Sequence, residues 1–297
     1  MNTMKAYTTM ARRELWEHRS LWLVQLVVAG ILLLATLWGM GALIWSHAHG
    51  FLQGNSAVSM GDAQASVIAG AVVFNFALVL TACFYLMDCL YSDRKDRSVM
   101  FWRSMPVSDT AMVLSKLFTA MVTAPAIAFV VVVGFEIAAG LIVGAAGAVT
   151  GIGLLSNYHA AAVLLGWFTL AVAFLVQSLW LLPYYGWFLL CSAWARKLPL
   201  AWTVMVPLAM MLAELVVFHT HYISKMILGH LARWFGMLHS NQAEFVVGQS
   251  GIDQHGQLMT LSSVLSYLVR PEMWIGVIIG VVFTIGAVWL RRNRSEI

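Results

Sequence analysis

The stretch LWLVQLVVAGILLLATLWGMGALIW, residues 21–45, contains no aspartate, glutamate, lysine or arginine. Its length suits a membrane-spanning helix, which needs about 20 apolar residues to cross the hydrocarbon core of a bilayer. The run is too long for the core of a signal peptide, and it has no clear small-residue cleavage site. We therefore interpret it as an uncleaved first transmembrane span.

The rest of the chain repeats this pattern. Charged residues make up 10% of the 297 residues, whereas soluble domains carry roughly 25%. Further charge-free intervals separate Asp62 from Asp88, Lys116 from Glu136, Glu136 from Arg196, Lys197 from Glu214 and Glu272 from Arg291. The sequence therefore predicts an all-α polytopic membrane protein, a single transmembrane domain over residues 1–297 with six spans: 21–45, 65–91, 114–146, 160–195, 198–222 and 274–290.

The segments between the spans also carry signals. Residues 1–20 place apolar side chains at helical spacing between basic ones, which predicts an amphipathic helix on the membrane surface. The loop 223–273 contains two weakly amphipathic segments, 223–238 and 258–269. Within the fourth span, Pro183 predicts a kink because proline removes one backbone hydrogen bond.

The lysines and arginines lie mainly on one side of this arrangement. Six spans place both termini on the same side, which also carries the stretch from Arg94 to Lys116 and residues 196–197 and holds fourteen of the seventeen basic residues. The opposite side holds Lys225, Arg233 and Arg270. By the positive-inside rule, the side with fourteen is cytoplasmic. The net charge of +4 thus reflects membrane orientation, and no nucleic-acid partner is expected.

The sequence lacks the motifs that would indicate nucleotide hydrolysis or a zinc protease. It contains neither a phosphate-binding G-x-x-x-x-G-K-[ST] loop nor an H-E-x-x-H zinc motif. The histidine pairs 47/49 and 219/221 are two residues apart, so on a helix their side chains point to different sides. We therefore expect no enzyme activity, no metal site and no cofactor on this chain.

The segment 92–113, between the second and third spans, interleaves basic and aromatic side chains: Arg94, Arg97, Phe101, Trp102 and Arg103. One interpretation is a positive-inside loop with an aromatic anchor among the lipid headgroups. The other is a short helix that inserts Phe101 or Trp102 into a groove of a soluble partner while its arginines meet acidic residues. Aromatic residues and arginine are the types favoured at interface hot spots.

The stretch DRSVMFWRSMPVS, residues 96–108, followed by Lys116, resembles the segment after the second span in ABC-2 type permease subunits. The surrounding layout of an N-terminal interfacial helix, six spans and a long connection before the last span is similar too. The resemblance implies a permease that pairs with a second copy or a close paralogue and binds separate ATP-binding cassette ATPase subunits, which carry ATP and Mg. It implies export across a bacterial inner membrane of an amphipathic peptide, antibiotic or lipid-like substrate. By the same comparison, the residues that couple to the ATPase would be Arg94, Arg97, Phe101, Trp102, Arg103, Pro106, Ser108 and Asp109.

Two carboxylates, Glu136 and Glu214, fall within predicted spans, where an ionised group is costly unless it faces protein or water. They could line or gate the transport path, clamp helices together, or relay protons. We assign them to the path or gate and leave the other roles open. The alternative function is an ion- or proton-coupled secondary transporter that uses Glu136 and Glu214. That function predicts inverted repeats and broken helices, and Pro183 is the one interruption the sequence offers.

Overall fold

The structure, a computed structural model, describes residues 14, 16–49, 60–95, 108–153, 160–238 and 261–293. These residues are almost all helical and include no strand, which confirms the predicted all-α fold. The helices are α1 (Ser20–Ala48), α2 (Met60–Lys95), α3 (Asp109–Thr150), α4 (Ala160–Trp180), α5 (Leu182–Trp194), α6 (Pro199–Phe218), α7 (Tyr222–Leu238), α8 (Leu261–Val269) and α9 (Pro271–Asn293). Five-residue π-helical turns interrupt α3 at Thr119–Thr123 and end α6 at Glu214–Phe218.

Six of these helices (α1, α2, α3, α4, α6 and α9) are long and apolar enough to cross a membrane, as predicted. Most extend beyond the predicted spans because polar residues continue the helix. In α3, the first turn starts at Asp109 because the Ser108 side chain caps it, its Oγ accepting a hydrogen bond from the Ala111 amide at 3.2 Å. In α2, the last turn retains Arg94 and Lys95, where cations meet the negative end of the helix dipole.

The predicted fourth span, 160–195, consists of two helices. Leu181 separates α4 from α5, and Pro183 is the second residue of α5. The amides of Tyr184 and Tyr185 both donate to the Leu181 carbonyl at 3.0 Å. The helix is therefore interrupted next to the proline that predicts a bend.

The chain divides into two compact units, to both of which α2, α3 and α4 contribute residues. The second unit comprises 19–81 and 125–171. Its described core packs Ala29 of α1, Phe74 of α2 and Val132 of α3. In the same unit, the Trp167 indole of α4 donates a hydrogen bond to the Glu136 carboxylate of α3. Glu136 thus joins two helices, which is the geometry of the clamp alternative.

The first unit comprises 1–18, 82–124 and 172–297, and in it α5 packs directly on α9. A Cβ atom added at Gly186 would lie 2.5 Å from the carbonyl oxygen of Gly280. One added at Gly280 would lie 2.6 Å from the carbonyl oxygen of Leu182. Real Cβ atoms do not approach backbone this closely, so glycine at both positions permits the contact between the two helices.

Within the predicted loop 223–273, α7 is attached to the break in the fourth span. The His230 ring stacks on Trp180 with 4.2 Å between ring centroids. The Trp180 indole donates to the His230 carbonyl at 3.0 Å, and His230 Nε2 donates to the Trp180 carbonyl at 2.8 Å. Because Tyr184 donates to Leu181, the Trp180 carbonyl is free to accept this bond.

Candidate functional site

Five charged side chains meet in the first unit at the ends of α2, α3 and α9: Glu14, Asp93, Asp109, Lys116 and Arg291. We call them the ionic cluster. They come from four separate parts of the chain, namely the N-terminal segment, the last turn of α2, the first turns of α3 and the last turn of α9. The cluster therefore joins the two ends of the predicted coupling segment 92–113 to distant parts of the protein.

Lys116 lies at the centre of one half of the cluster. Its Nζ is 3.0 Å from Glu14 Oε1 and 3.4 Å from Asp93 Oδ2. Lys116 is 2% exposed and Glu14 is 6% exposed. Charges this deeply buried are tolerated when they are paired and hydrogen-bonded, and removing one partner leaves the other uncompensated. The pair therefore holds Glu14 firmly against α3.

Arg291 lies at the centre of the other half. Its Nη1 is 3.2 Å from Asp93 Oδ2, and its Nε is 3.2 Å from Asp109 Oδ1. Asp93 lies before the segment 94–108 and Asp109 follows it, so a single guanidinium binds both ends of the segment. The planar fork of arginine donors suits such double recognition of carboxylates.

Tyr85 and His18 lie beside the second oxygen of the Glu14 carboxylate, Oε2. The Tyr85 hydroxyl donates to Glu14 Oε2 at 2.8 Å. The His18 ring meets the Tyr85 ring edge-on at 4.8 Å, and its Nε2 is 3.9 Å from Glu14 Oε2, too far for a hydrogen bond. Burial lowers the pKa of His18 below its ordinary value of 6.5, and Lys116 acts in the same direction, although Glu14 opposes them.

The lowered pKa of His18 predicts a stability that depends on pH. As the pH falls through 6.5, the His18 imidazole binds a proton in the unfolded chain more readily than in the folded chain. The free energy of unfolding therefore decreases as the pH drops below 6.5. We expect His18→Gln to make this fall shallower. The measurement is the thermal midpoint of the detergent-solubilised protein between pH 7.5 and pH 5.5. An identical pH slope in the variant and the natural chain would show that His18 does not contribute.

Arg94 connects α2 with the end of α5. Its Nη2 donates to the carbonyls of Ser192 at 2.5 Å and Ala195 at 2.8 Å, which lie at the C-terminal end of α5. In return, the Ser192 hydroxyl oxygen accepts from the amides of Leu90 and Tyr91 at 3.1 and 3.0 Å. Arg94 therefore binds its own chain and positions the last turn of α2.

Of the other predicted coupling residues, the structure describes two. Ser108 caps α3, and Asp109 binds Arg291. The remaining predicted coupling residues lie outside the described residues, namely Arg97, Phe101, Trp102, Arg103 and Pro106. Residues 1–13 and 15 of the predicted interfacial helix 1–20 lie outside them too. Their roles stay predictions.

Glu14, Lys116 and Arg291 are residues of the site that sequence reasoning did not select as such. The pattern of residues 1–20 predicts a surface helix, yet Glu14 within it is as buried as Glu214. Lys116 gave a usable signal, because it lies in the second turn of an otherwise apolar helix. Arg291 gave no such signal in the sequence, since basic residues at the end of a last span are common.

Glu214, predicted to line the path or gate, lies in the π-helical turn that ends α6. Its Oε1 accepts from the Thr220 hydroxyl at 2.9 Å and the Tyr222 amide at 2.5 Å, and its Oε2 accepts from the Ile223 amide at 2.9 Å. The carboxylate thus caps the first turn of α7. These contacts favour the clamp alternative for Glu214, while the path role stays a prediction.

Comparisons with known protein families, with curated proteins and with solved structures find no match to this chain.

Proposed function

We propose that this chain is the membrane-spanning permease subunit of an ATP-binding cassette exporter, powered by separate ATPase subunits on its basic side. Six helices with the length and hydropathy of spans support this proposal. So does the resemblance of residues 96–108 to the coupling segment of ABC-2 type permeases. The substrate is an amphipathic peptide, antibiotic or lipid-like molecule, and the permease works as a pair of subunits in a bacterial inner membrane with both termini in the cytoplasm.

The observation that carries the proposal is the double ion pair of Arg291. Because Asp93 and Asp109 both bind this guanidinium, the two residues that flank the segment 94–108 are both attached to α9. A displacement of Asp93 or Asp109 by a partner that binds the segment is then passed to α9. Lys116 passes it on to Glu14, and Arg94 passes it to α5.

A secondary transporter, the alternative function, gains less support from the contacts. Glu136 accepts a hydrogen bond from a tryptophan, and Glu214 from its own loop. Among the described residues, neither carboxylate forms an ion pair. Carboxylates held in this way are better suited to joining helices and loops than to binding and releasing a coupling ion in each transport cycle.

The test of the proposal substitutes two side chains of the segment, Arg97 and Trp102. We expect Trp102→Ala and Arg97→Glu to reduce the amount of a co-purified phosphate-loop ATPase at least about tenfold, as at other interface hot spots. Lys225→Glu, a charge reversal of an exposed residue on α7, serves as the control and should leave the yield unchanged. Undiminished co-purification and ATPase stimulation in both segment variants would contradict the assignment of this segment.

A further inference from the structure

The backbone is in the left-handed conformation immediately before and immediately after α6. Among the residues that the structure describes, two that are not glycine have a positive φ, Leu198 at 49° and His219 at 53°. Leucine populates this region roughly tenfold less than the ordinary regions, and Pro199 favours an extended conformation for the residue before it. Leu198 is 72% exposed, so packing of its side chain does not offset the strain.

Contacts with α5 hold the start of α6 in this position. Pro207 lies inside α6 and has no amide hydrogen, so the Thr203 carbonyl one turn earlier lacks its usual partner within the helix. The Trp187 indole of α5 donates to that carbonyl at 3.1 Å. The rings of Trp194 and Trp202 also meet here, with 5.0 Å between their centroids. Strained backbone persists where the surrounding structure holds it, and the Trp187 hydrogen bond is the polar contact that does so next to Leu198.

Glu214 holds the second corner, at His219. Its carboxylate accepts from the Thr220 hydroxyl and from the amides of Tyr222 and Ile223. These bonds join the end of α6 to the residues that follow His219, so the chain cannot straighten at His219 without breaking them. Each corner of α6 is thus closed by hydrogen bonds of its own.

We propose that α6 is a movable span with two positions, and that Leu198 and His219 are its hinges. In the held position, which the structure shows, the hydrogen bonds of Trp187 and Glu214 keep both hinges left-handed. In the released position these bonds are broken, Leu198 adopts an ordinary backbone conformation, and α6 tilts away from α5. As a step of export, the movement rests on the proposed function. As a property of this chain, it is tested without nucleotide or ATPase, so its failure and that of the proposed function are distinguishable.

The first experiment measures the distance between two spin labels in the full chain, reconstituted in phosphatidylcholine nanodiscs. The labels are attached through Leu208→Cys on α6 and Ile285→Cys on α9, two exposed positions, after the free cysteines have been replaced by alanine. Trp187→Phe combined with Glu214→Gln removes the indole donor and weakens the carboxylate acceptor. We expect this double variant to populate a second distance at least about tenfold more than the natural chain does.

Adding Leu198→Gly to the double variant should return most of the population to the first distance. The reason is that glycine adopts a positive φ without strain, so the held position no longer needs the hydrogen bonds. A single distance that is the same in the natural chain and in the double variant would overturn the proposal.

The second experiment tests the strain at Leu198 by itself and keeps the proposal falsifiable if the double variant does not fold. Leu198→Gly should raise the thermal midpoint of the natural chain by about 2 °C, because the strain is relieved. The matched control is Leu200→Gly, which replaces an exposed leucine in the first turn of α6. It should lower the midpoint, because glycine disfavours helix. Equal losses in the two variants would show that Leu198 stores no strain and would overturn the proposal.

Discussion

Lys116→Met is expected to destabilise the protein by roughly 3–5 kcal/mol, the cost of removing one partner from a buried ion pair. Lys116 Nζ lies within 3.4 Å of carboxylate oxygens of both Glu14 and Asp93. Methionine fills a similar volume but leaves both acids without this cation. The measurement is the thermal or denaturant-induced unfolding of the purified protein in detergent, followed by its elution as a monodisperse species.

Two further variants separate charge from packing at Lys116. Lys225→Met removes an exposed lysine of α7, and its effect should stay within about 0.5 kcal/mol. The double variant Lys116→Met with Glu14→Gln should recover part of the loss, because one of the uncompensated charges is gone. If Lys116→Met is as stable as Lys225→Met, the ionic cluster does not hold these segments together.

Gly280→Ala and Gly186→Ala are the other substitutions with a large expected effect. Each places a Cβ within 2.6 Å of a backbone carbonyl oxygen on the facing helix, and backbone cannot rotate away as a side chain does. Overpacking of this kind costs about 1–3 kcal/mol. We expect a lower thermal midpoint for each variant, and loss of α5–α9 packing in the double variant.

The matched control is Gly140→Ala in α3. A Cβ at Gly140 would have no neighbouring atom within 4 Å, and alanine favours helix more than glycine by roughly 1 kcal/mol. Gly140→Ala should therefore leave stability unchanged or raise it. Equal losses for Gly140→Ala and Gly280→Ala would show that the packing of α5 on α9 is not what makes glycine necessary.

The glycine pairs of α3 and α9 also show what the sequence alone does not reveal. Gly140 and Gly144, like Gly276 and Gly280, form a G-x-x-x-G pair in an apolar helix. At Gly276, a Cβ would lie 3.2 Å from His230 Cε1, whereas at Gly140 it would meet nothing. The local pattern is the same in both helices. Which face of a helix is packed depends on distant segments, so the pattern alone does not separate the two pairs.

The spans were predictable because each depends on a local property, the absence of charge over a membrane-length run. The break near Pro183 was predictable for the same reason, since the missing amide hydrogen acts within one turn. The ends of the helices were less predictable from the sequence. The helix α3 starts at Asp109 because a cap and an ion pair stabilise a polar first turn, and hydropathy does not register either contact.

The ionic cluster could not be derived from the sequence. Three of its four pairs join residues about 100 to 200 positions apart, such as Lys116 with Glu14 and Arg291 with Asp93. Each member has an ordinary local explanation as a charge at a helix end. Their common position appears only when the helix packing is known, and it gives the predicted coupling segment 92–113 a fixed attachment to α9.

The central claim is that this chain works with a separate ATPase, and the most direct measurement is the composition of the native complex. Affinity purification of the tagged chain from its own membranes, with mass spectrometry and stoichiometry determination, should yield a phosphate-loop ATPase in equal copy number. ATP hydrolysis by that complex should be lost when the ATPase lysine of the phosphate loop is replaced. A monodisperse, functional chain without any phosphate-loop subunit would contradict the account.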